Sequence, residues 1–234
     1  MSDSNLSLWD KVCETDPNFT KHVNQRGGYT AVSPQYQLRE ATKQFGSYGS
    51  TWGFESIDYD YSLVETMDLV LVSAVFFYPS NGGKARFPIK NSWPIKSGTR
   101  VDPDFAKKAE TNTMSKALSK LGFSADVFLG QFDDAEYVNM MDAKARIESG
   151  DDEKVRAAND EFKAWFEKQV ETIGLCPNER AINMIVQQIE PRLNDKLTII
   201  KASIEKRTAM QQRLYKAADN AKLNLVNKQS EVKS

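Results

Sequence analysis

Residues 67–95 constrain the fold of this 234-residue chain more than any other segment. The run MDLVLVSAVFFY, from Met67 to Tyr78, is rich in β-branched and aromatic residues, and ARFPIKNSWPI returns from Ala85 to Ile95. The intervening PSNGGK has the glycine and asparagine that a tight reversal requires. The two runs are therefore predicted to pair as antiparallel strands. Pro88 and Pro94 place the second strand at an edge or next to a bulge.

The flanking segments predict one more strand and two helices. Pro34 to Phe45 reads as a helix that ends in the turn GSYGSTWG, and residues 52–62 alternate as a strand does. A long helix follows the hairpin, with Asp102 as N-cap and Gly122 as its stop. Its apolar residues share one face, whereas Lys116 and Lys120 share the opposite face with Asn112, Thr113 and Ser119. The order of elements predicts an α+β fold, with a three-stranded antiparallel meander covered by the long helix.

Charge is segregated along the chain, although the net charge is only −1. Residues 84–120 hold nine Lys or Arg and three Asp or Glu, whereas residues 47–83 hold five acids and no base. Such segregation can build a basic stripe on a neutral protein, and a basic stripe is typical of nucleic-acid sites. The alternative is that the lysines are simply solvated.

The C-terminal part is predicted to be helical. The sequence divides into a core over residues 1–138, a charged hinge over 139–160 and a helical region over 161–234. Pro191 is predicted to separate two of its helices. The last helix would begin near Arg192 and follow a near-heptad rhythm, which indicates a partner-binding or oligomerisation element.

The sequence lacks the residue patterns of metal sites and of the Walker phosphate loop. Cys13, Cys176 and His22 have no metal-ligand spacing, so we expect no metal and no cofactor. Gly83-Lys84 continues with alanine, which excludes a Walker phosphate loop. We expect no membrane span and no signal peptide, and the two isolated cysteines favour a reducing cytoplasmic setting.

Binding remains as the leading function, and we expect no catalytic residues. A site for a single strand needs cations for phosphates and aromatic faces for bases, and the two are interleaved here. The residues predicted to contact DNA are Arg26, Tyr36, Arg39, Lys84, Arg86, Lys90, Lys96, Arg100, Lys107, Lys108, Lys116 and Lys120.

The chain resembles a known family over about residues 15–138. The run REATKQFGSYGSTWGF, the β meander and then KKAETNTMSKALSKLGFSADVFLGQFDD are similar to the annealing core of phage single-strand annealing proteins. These proteins belong with the eukaryotic annealing recombinase, which shares the β-β-β-α core, and more distantly with Red-beta.

The resemblance implies ATP-independent binding of single-stranded DNA, annealing of complementary strands in homologous recombination and repair, and assembly into rings or helical filaments. It places DNA in a basic groove lined by the long helix and the β-hairpin. Lys116 matches a basic position of the eukaryotic relatives, and Lys120 is one residue away from their next basic position. Arg39 lies on the helix that supplies a basic residue in the relatives, but not at the equivalent position. By the same resemblance, the C-terminal region would contact host single-strand binding protein or a phage exonuclease.

Two other functions stay open at this stage. The chain could be a structural or assembly protein that acts through its helical region. It could also be a metal-dependent nuclease, because carboxylates occur in two sets that would have to converge on one site. These carboxylates are Asp102, Asp104, Glu110, Asp126, Asp133, Asp134 and Glu136.

Overall fold

The computed structural model describes residues 6–24, 28–80 and 82–231. The chain divides into two compact units, Met1–Val138 and Asn139–Ser234. In the first unit the elements are α1 (Trp9–Val12), a 3-10 turn (Pro17–Phe19), β1 (Thr20–Val23), β2 (Tyr29–Val32), α2 (Pro34–Phe45), β3 (Gly53–Asp60), α3 (Val64–Met67), β4 (Leu69–Ser80), β5 (Gly83–Pro94), β6 (Lys96–Ser97), β7 (Arg100–Val101), α4 (Phe105–Ser119), α5 (Ala125–Phe128) and a second 3-10 turn (Gln131–Asp133). Helix α6 (Ala135–Glu148) leads into the second unit, which continues with α7 (Asp152–Gly174), α8 (Glu179–Ile199) and α9 (Ile204–Glu231).

The predicted α+β class and the three-stranded antiparallel meander are confirmed. The strand order is β3-β4-β5, with Ala74 opposite Ile57 on one side and Ile89 on the other. Strand β5 pairs only with β4 in the described part of the chain, so its prolines lie on an edge strand as predicted. The register shift is in β3, between Phe54 and Ser56.

A second hairpin precedes the sheet. Strands β1 and β2 pair antiparallel, with Thr20 opposite Val32 and Val23 opposite Tyr29. The segments TKHV and YTAV are rich in residues that favour strands. Each is only four residues long, too short for alternation to distinguish a strand from a loop.

Helix α4 covers one face of the sheet. The core beneath it includes Trp52, Phe76, Ile89 and Leu118, which are almost fully buried. The helix lies close to β5 because small side chains recur every four residues at its contact face. These are Ala109, Thr113 and Ala117, all 0% exposed.

Two details of this helix differ from the prediction. Thr113 was predicted on the exposed side of the helix, but it is buried against the sheet. Burial is possible because the Thr113 hydroxyl donates a hydrogen bond to Ala109 O at 2.7 Å, within the same helix. The N-cap is Asp104, two residues later than predicted. Asp102 instead accepts from Asp104 N at 3.0 Å in the preceding turn.

A buried carboxylate ties the N-terminal segment to the end of this unit. Asp126 is 3% exposed and accepts from both the backbone N–H and the hydroxyl of Thr15, each at 2.6 Å. The Tyr137 hydroxyl donates to the same carboxylate at 3.0 Å. Burial, followed by the Asp126 charge, raises the pKa of Tyr137. The donors satisfy a group whose burial would otherwise be costly.

The second unit is a helical bundle with its own core. Phe162 and Phe166 of α7 pack with Leu193 of α8 and Leu214 of α9. Pro191 lies inside α8 and does not separate two helices, which corrects the prediction. Buried residues on both sides of it, Ile189 and Leu193, keep the helix on the core, so packing prevails over the cost of the proline.

The break falls at residues 200–203 instead. Lys201 has a left-handed backbone conformation, with φ of 50°, and Ala202 N donates to Leu197 O at 2.9 Å. Arg207 donates to the carbonyls of Ala202 and Leu197 at 3.1 and 3.2 Å. Its guanidinium therefore stabilises the end of α8.

The predicted hinge over residues 139–160 is helical except at 149–151. Its charges form ion pairs: Arg146 contacts Asp142 at 2.9 Å and Glu161 at 2.6 Å. A charge-rich composition is compatible with a helix when opposite charges face each other.

Gly122 gives a sharp test of this packing. Its φ is +97°, and a Cβ there would lie 2.7 Å from the Trp9 ring. We expect Gly122→Ala to lower the free energy of unfolding by about 2–4 kcal/mol, from a left-handed alanine and from overpacking. Gly98→Ala is the control for backbone strain alone, because φ is +64° there and the space is open. Equal effects of the two variants in urea unfolding would contradict the contact with Trp9.

Candidate nucleic-acid interface

A groove runs along the exposed side of α4, between the end of β5 and strand β2. It consists of two adjoining depressions of about 690 and 530 Å³, which share Tyr29, Trp93, Lys108 and Asn112. The sheet supplies one wall and the β1–β2 hairpin supplies another. Residues separated by more than sixty positions in sequence thus meet at one surface.

Four of the predicted lysines line this groove: Lys96, Lys107, Lys108 and Lys116. Three of them come from α4, where positions spaced by four residues lie on one side of a helix. Lys108 and Lys116 belong to one such row with Asn112 between them, and Lys107 begins the next row. The spacing along the helix therefore produces a linear track of positive charge.

Acidic residues hold two of these lysines. Lys108 Nζ is 2.6 Å from Asp102, and Lys96 Nζ is 2.7 Å from Asp68. The hydrogen bond to Asp102 raises the pKa of Lys108, and the same bond lowers the pKa of Asp102. The side chains of Lys108 and Lys96 are 49% and 40% exposed, so these ion pairs contribute little to stability and can exchange partners with an anion from solution.

A polar seam positions Lys116. Asn91 of β5 is buried, and its amide donates to Asn112 at 3.0 Å and to the Thr113 hydroxyl at 3.1 Å. Its carbonyl oxygen accepts from Lys116 Nζ at 2.5 Å. The seam replaces apolar packing where the core reaches the groove, and it fixes the ammonium group at the wall of the groove.

Two aromatic rings also line the groove. Tyr29, at the start of β2, is 49% exposed, and Trp93 of β5 is partly buried. Neither was among the predicted contact residues, although both are close in sequence to basic residues. The short distance in sequence between aromatic and basic residues was the signal that could have identified these two rings. The sequence does not show which aromatic rings are buried in the core and which remain exposed.

Three of the predicted basic residues lie on the opposite face of the sheet. Lys84, Arg86 and Lys90 alternate with inward-facing residues of β5, so they point away from α4. Lys84 Nζ lies 4.0 Å from the Phe77 ring centroid, and Arg86 contacts Glu55 at 2.7 Å. The sequence grouped these residues with the groove lysines, but the pleat of the strand separates them.

The remaining predicted residues lie outside the groove. Tyr36 is a correction: it is buried, stacks on Phe19 and accepts from Asp16 N at 3.2 Å, so its ring is not free to stack on a base. Burial raises the pKa of Tyr36 to about 12. Arg39 lies 4.5 Å from the centroid of the Phe19 ring and contacts Glu40.

Lys120 is exposed at the end of α4, and Arg100 is exposed in β7. Neither lines the two depressions. Arg26 lies outside the described residues.

The carboxylates considered for a nuclease have other contacts. Asp102 pairs with Lys108, Asp126 is enclosed by Thr15 and Tyr137, and Asp134 accepts from Glu136 N at 2.8 Å. Over the part of the chain that the structure describes, no three acidic, histidine or cysteine side chains are grouped to hold a metal ion.

Comparisons with known proteins identify no relative: no family model, no curated protein and no solved structure matches the chain. Among the described helices, none has the length and apolar character needed to cross a membrane.

The polar seam can be tested by removing its central amide. Asn91→Ala leaves Thr113, Asn112 and Lys116 without their common partner, so we expect a loss of roughly 1–3 kcal/mol in the free energy of unfolding. Ser92→Ala is the control, since Ser92 follows in the same strand and is exposed. Urea unfolding measures both, and equal midpoints would contradict the structural role of the seam.

Proposed function

We propose that this chain binds single-stranded DNA without ATP and anneals complementary strands, as a phage-type protein of homologous recombination and repair in the cytoplasm of a bacterial host. One observation carries the proposal: four lysines and two aromatic rings from separate elements converge on one groove. Lysines suit phosphates and aromatic faces suit unpaired bases. The contacts to phosphate carry no sequence information.

The resemblance to phage annealing proteins supports the same conclusion. The quoted motifs lie on α2, the turn after it and α4, with the meander between them. Lys116, the residue that matches a basic position of the eukaryotic relatives, lies in the groove. Lys120 and Arg39, which depart from that pattern, do not line it.

A charge-neutralising pair of variants tests the groove. We expect Lys107→Gln with Lys116→Gln to weaken oligonucleotide binding and to reduce the log–log salt slope by about 1.4, since each phosphate contact of a single strand contributes about 0.7. Glutamine at 116 can still donate to Asn91, so the seam is kept. Lys163→Gln with Lys168→Gln is the matched control, because both lysines are exposed on α7 and lie outside the groove. Fluorescence anisotropy at several salt concentrations measures both.

Equal losses in the two double variants would place the strand elsewhere than in this groove. Annealing of complementary oligonucleotides, without ATP or metal, separates an annealing protein from one that only binds. Metal-dependent loss of the oligonucleotide would favour the nuclease instead.

We also propose that the protein forms homo-oligomers, as rings or filaments. In the described part of the chain both β3 and β5 are edge strands, and open edges invite pairing with another copy. Strand β3 carries Asp58 and Asp60, whereas β5 carries Lys84 and Lys90. Opposite charges on the two edges favour a head-to-tail contact, which closes into a ring or continues as a filament.

Light scattering tests this assembly. We expect a mass several times that of the monomer, at least with oligonucleotide present, and a lower mass for Asp58→Lys with Asp60→Lys because like charges would then meet. Glu65→Lys with Asp133→Lys gives the same change of charge away from β3. A monomeric mass for the unmodified chain under both conditions would contradict the proposal.

The second unit favours a role in contacts with other proteins. Its helix α9 exposes Leu223 and Val226, with 59% and 62% of their surface accessible. Host single-strand binding protein or a phage exonuclease is the partner that the resemblance suggests. The same apolar side chains favour the second candidate, a protein whose main role is assembly through the helical unit.

A further inference from the structure

A small apolar pocket lies beside the groove, between α2, α4 and the turn before β3. Its volume is about 290 Å³, close to the lower limit of ordinary small-molecule sites. Leu38, Trp52, Met114 and Leu118 supply its apolar walls. Gln37, Thr111 and Ser115 line both this pocket and the adjoining depression of the groove. A strand lying in the groove therefore passes the entrance of the pocket.

The pocket contains a buried amide without a partner. Gln37 is only 2% exposed, and its Nε2 forms no hydrogen bond with any described residue. A buried donor left unsatisfied is costly and uncommon in folded proteins. Gln37 lies in the first turn of α2, where an apolar residue would pack at no such cost. Because Gln37 also lines the pocket, a rotation of its side chain would present this amide to a ligand there.

An aromatic ring borders the same pocket. Tyr48 is 50% exposed and packs edge-on against Trp52, with 5.1 Å between ring centroids. The turn holds it there: Gly49 N donates to Trp52 O at 2.7 Å, and the Trp52 indole donates to Gly46 O at 2.8 Å. Gly53 has φ of +143°, and a Cβ at this position would lie 3.2 Å from the Tyr48 ring. The absent side chain leaves room for the ring.

The pocket entrance has a charge that phosphate would avoid. Glu110 of α4 lines it and is exposed. Glu110 and Tyr48 line the same pocket, and burial, followed by the charge of Glu110, raises the pKa of Tyr48. A carboxylate accepts hydrogen bonds from amino groups, which adenine, cytosine and guanine carry and thymine does not.

We propose that this pocket takes one nucleobase of the bound strand, stacked against Tyr48 and hydrogen-bonded by the Gln37 amide, while the phosphates follow the lysines of the groove. A glutamine amide pairs well with the edge of adenine, through one donor and one acceptor. This inference rests on the proposed function. It adds a base-reading element to a site otherwise built for the backbone.

The test compares two strands of equal length on the full chain: oligo(dA) and a strand of abasic sites, which keeps the phosphates. We expect the unmodified protein to bind oligo(dA) more tightly. Gln37→Leu should lower this preference about three- to tenfold, the value of one or two neutral hydrogen bonds. It should leave the affinity for the abasic strand unchanged. Gln44→Leu is the matched control, an exposed glutamine of the same helix.

Thermal unfolding provides a second readout. Because Gln37→Leu removes an unsatisfied buried donor, its midpoint should equal or exceed that of the unmodified chain. A clearly lower midpoint would show that the amide has a structural partner and would overturn the inference. An unchanged preference of Gln37→Leu for oligo(dA) would also overturn the inference. The same holds if the unmodified protein binds free adenosine tightly but binds oligo(dA) and the abasic strand equally well. If the unmodified protein binds neither strand, the proposed function itself fails.

Discussion

The close approach of α4 to β5 is the constraint on which the groove depends. Ala109, Thr113 and Ala117 recur every four residues at the contact and leave no exposed surface. Larger side chains there would lift the helix, because packed interiors have little free volume to absorb them. With the helix held close, the polar rows beside this stripe meet the end of β5, and Asn91 can bond to α4. The core therefore determines where the ammonium group of Lys116 lies.

The pleat of β5 divides the positive charge between two surfaces. Odd-numbered residues of the strand, such as Ile89 and Asn91, lie under α4, while Arg86 and Lys90 point to the other face. Net charge along the sequence cannot show this division, since it counts both groups together. The groove receives its lysines mainly from a helix, whose four-residue spacing keeps them on one side. On the other face Arg86 forms an ion pair with Glu55 of β3.

The sequence was sufficient to predict the class of fold, the meander and the bounds of α2, because strong periodicity and turn residues define them. It failed where packing decides. Pro191 continues a helix because buried residues flank it, and Thr113 is buried because its hydroxyl bonds within the helix. The groove was predicted only in part. Its lysines can be recognised in the sequence, but the sequence does not show which of Tyr36 and Tyr29 has an exposed ring. One ring is taken by the core and the other is left half exposed.

The ion pairs in the groove bear on how a bound strand would be held. Lys96 and Lys108 already have carboxylate partners at 2.7 and 2.6 Å, so a phosphate that binds them must replace Asp68 or Asp102. The net gain per contact is then smaller than for a free cation, since one ionic contact is exchanged for another. Weak and exchangeable contacts allow a strand to shift its register, whereas strong ones would trap it. An annealing protein requires such shifting, because complementary strands rarely meet in register. The acidic residues beside the lysines are therefore compatible with the proposed function.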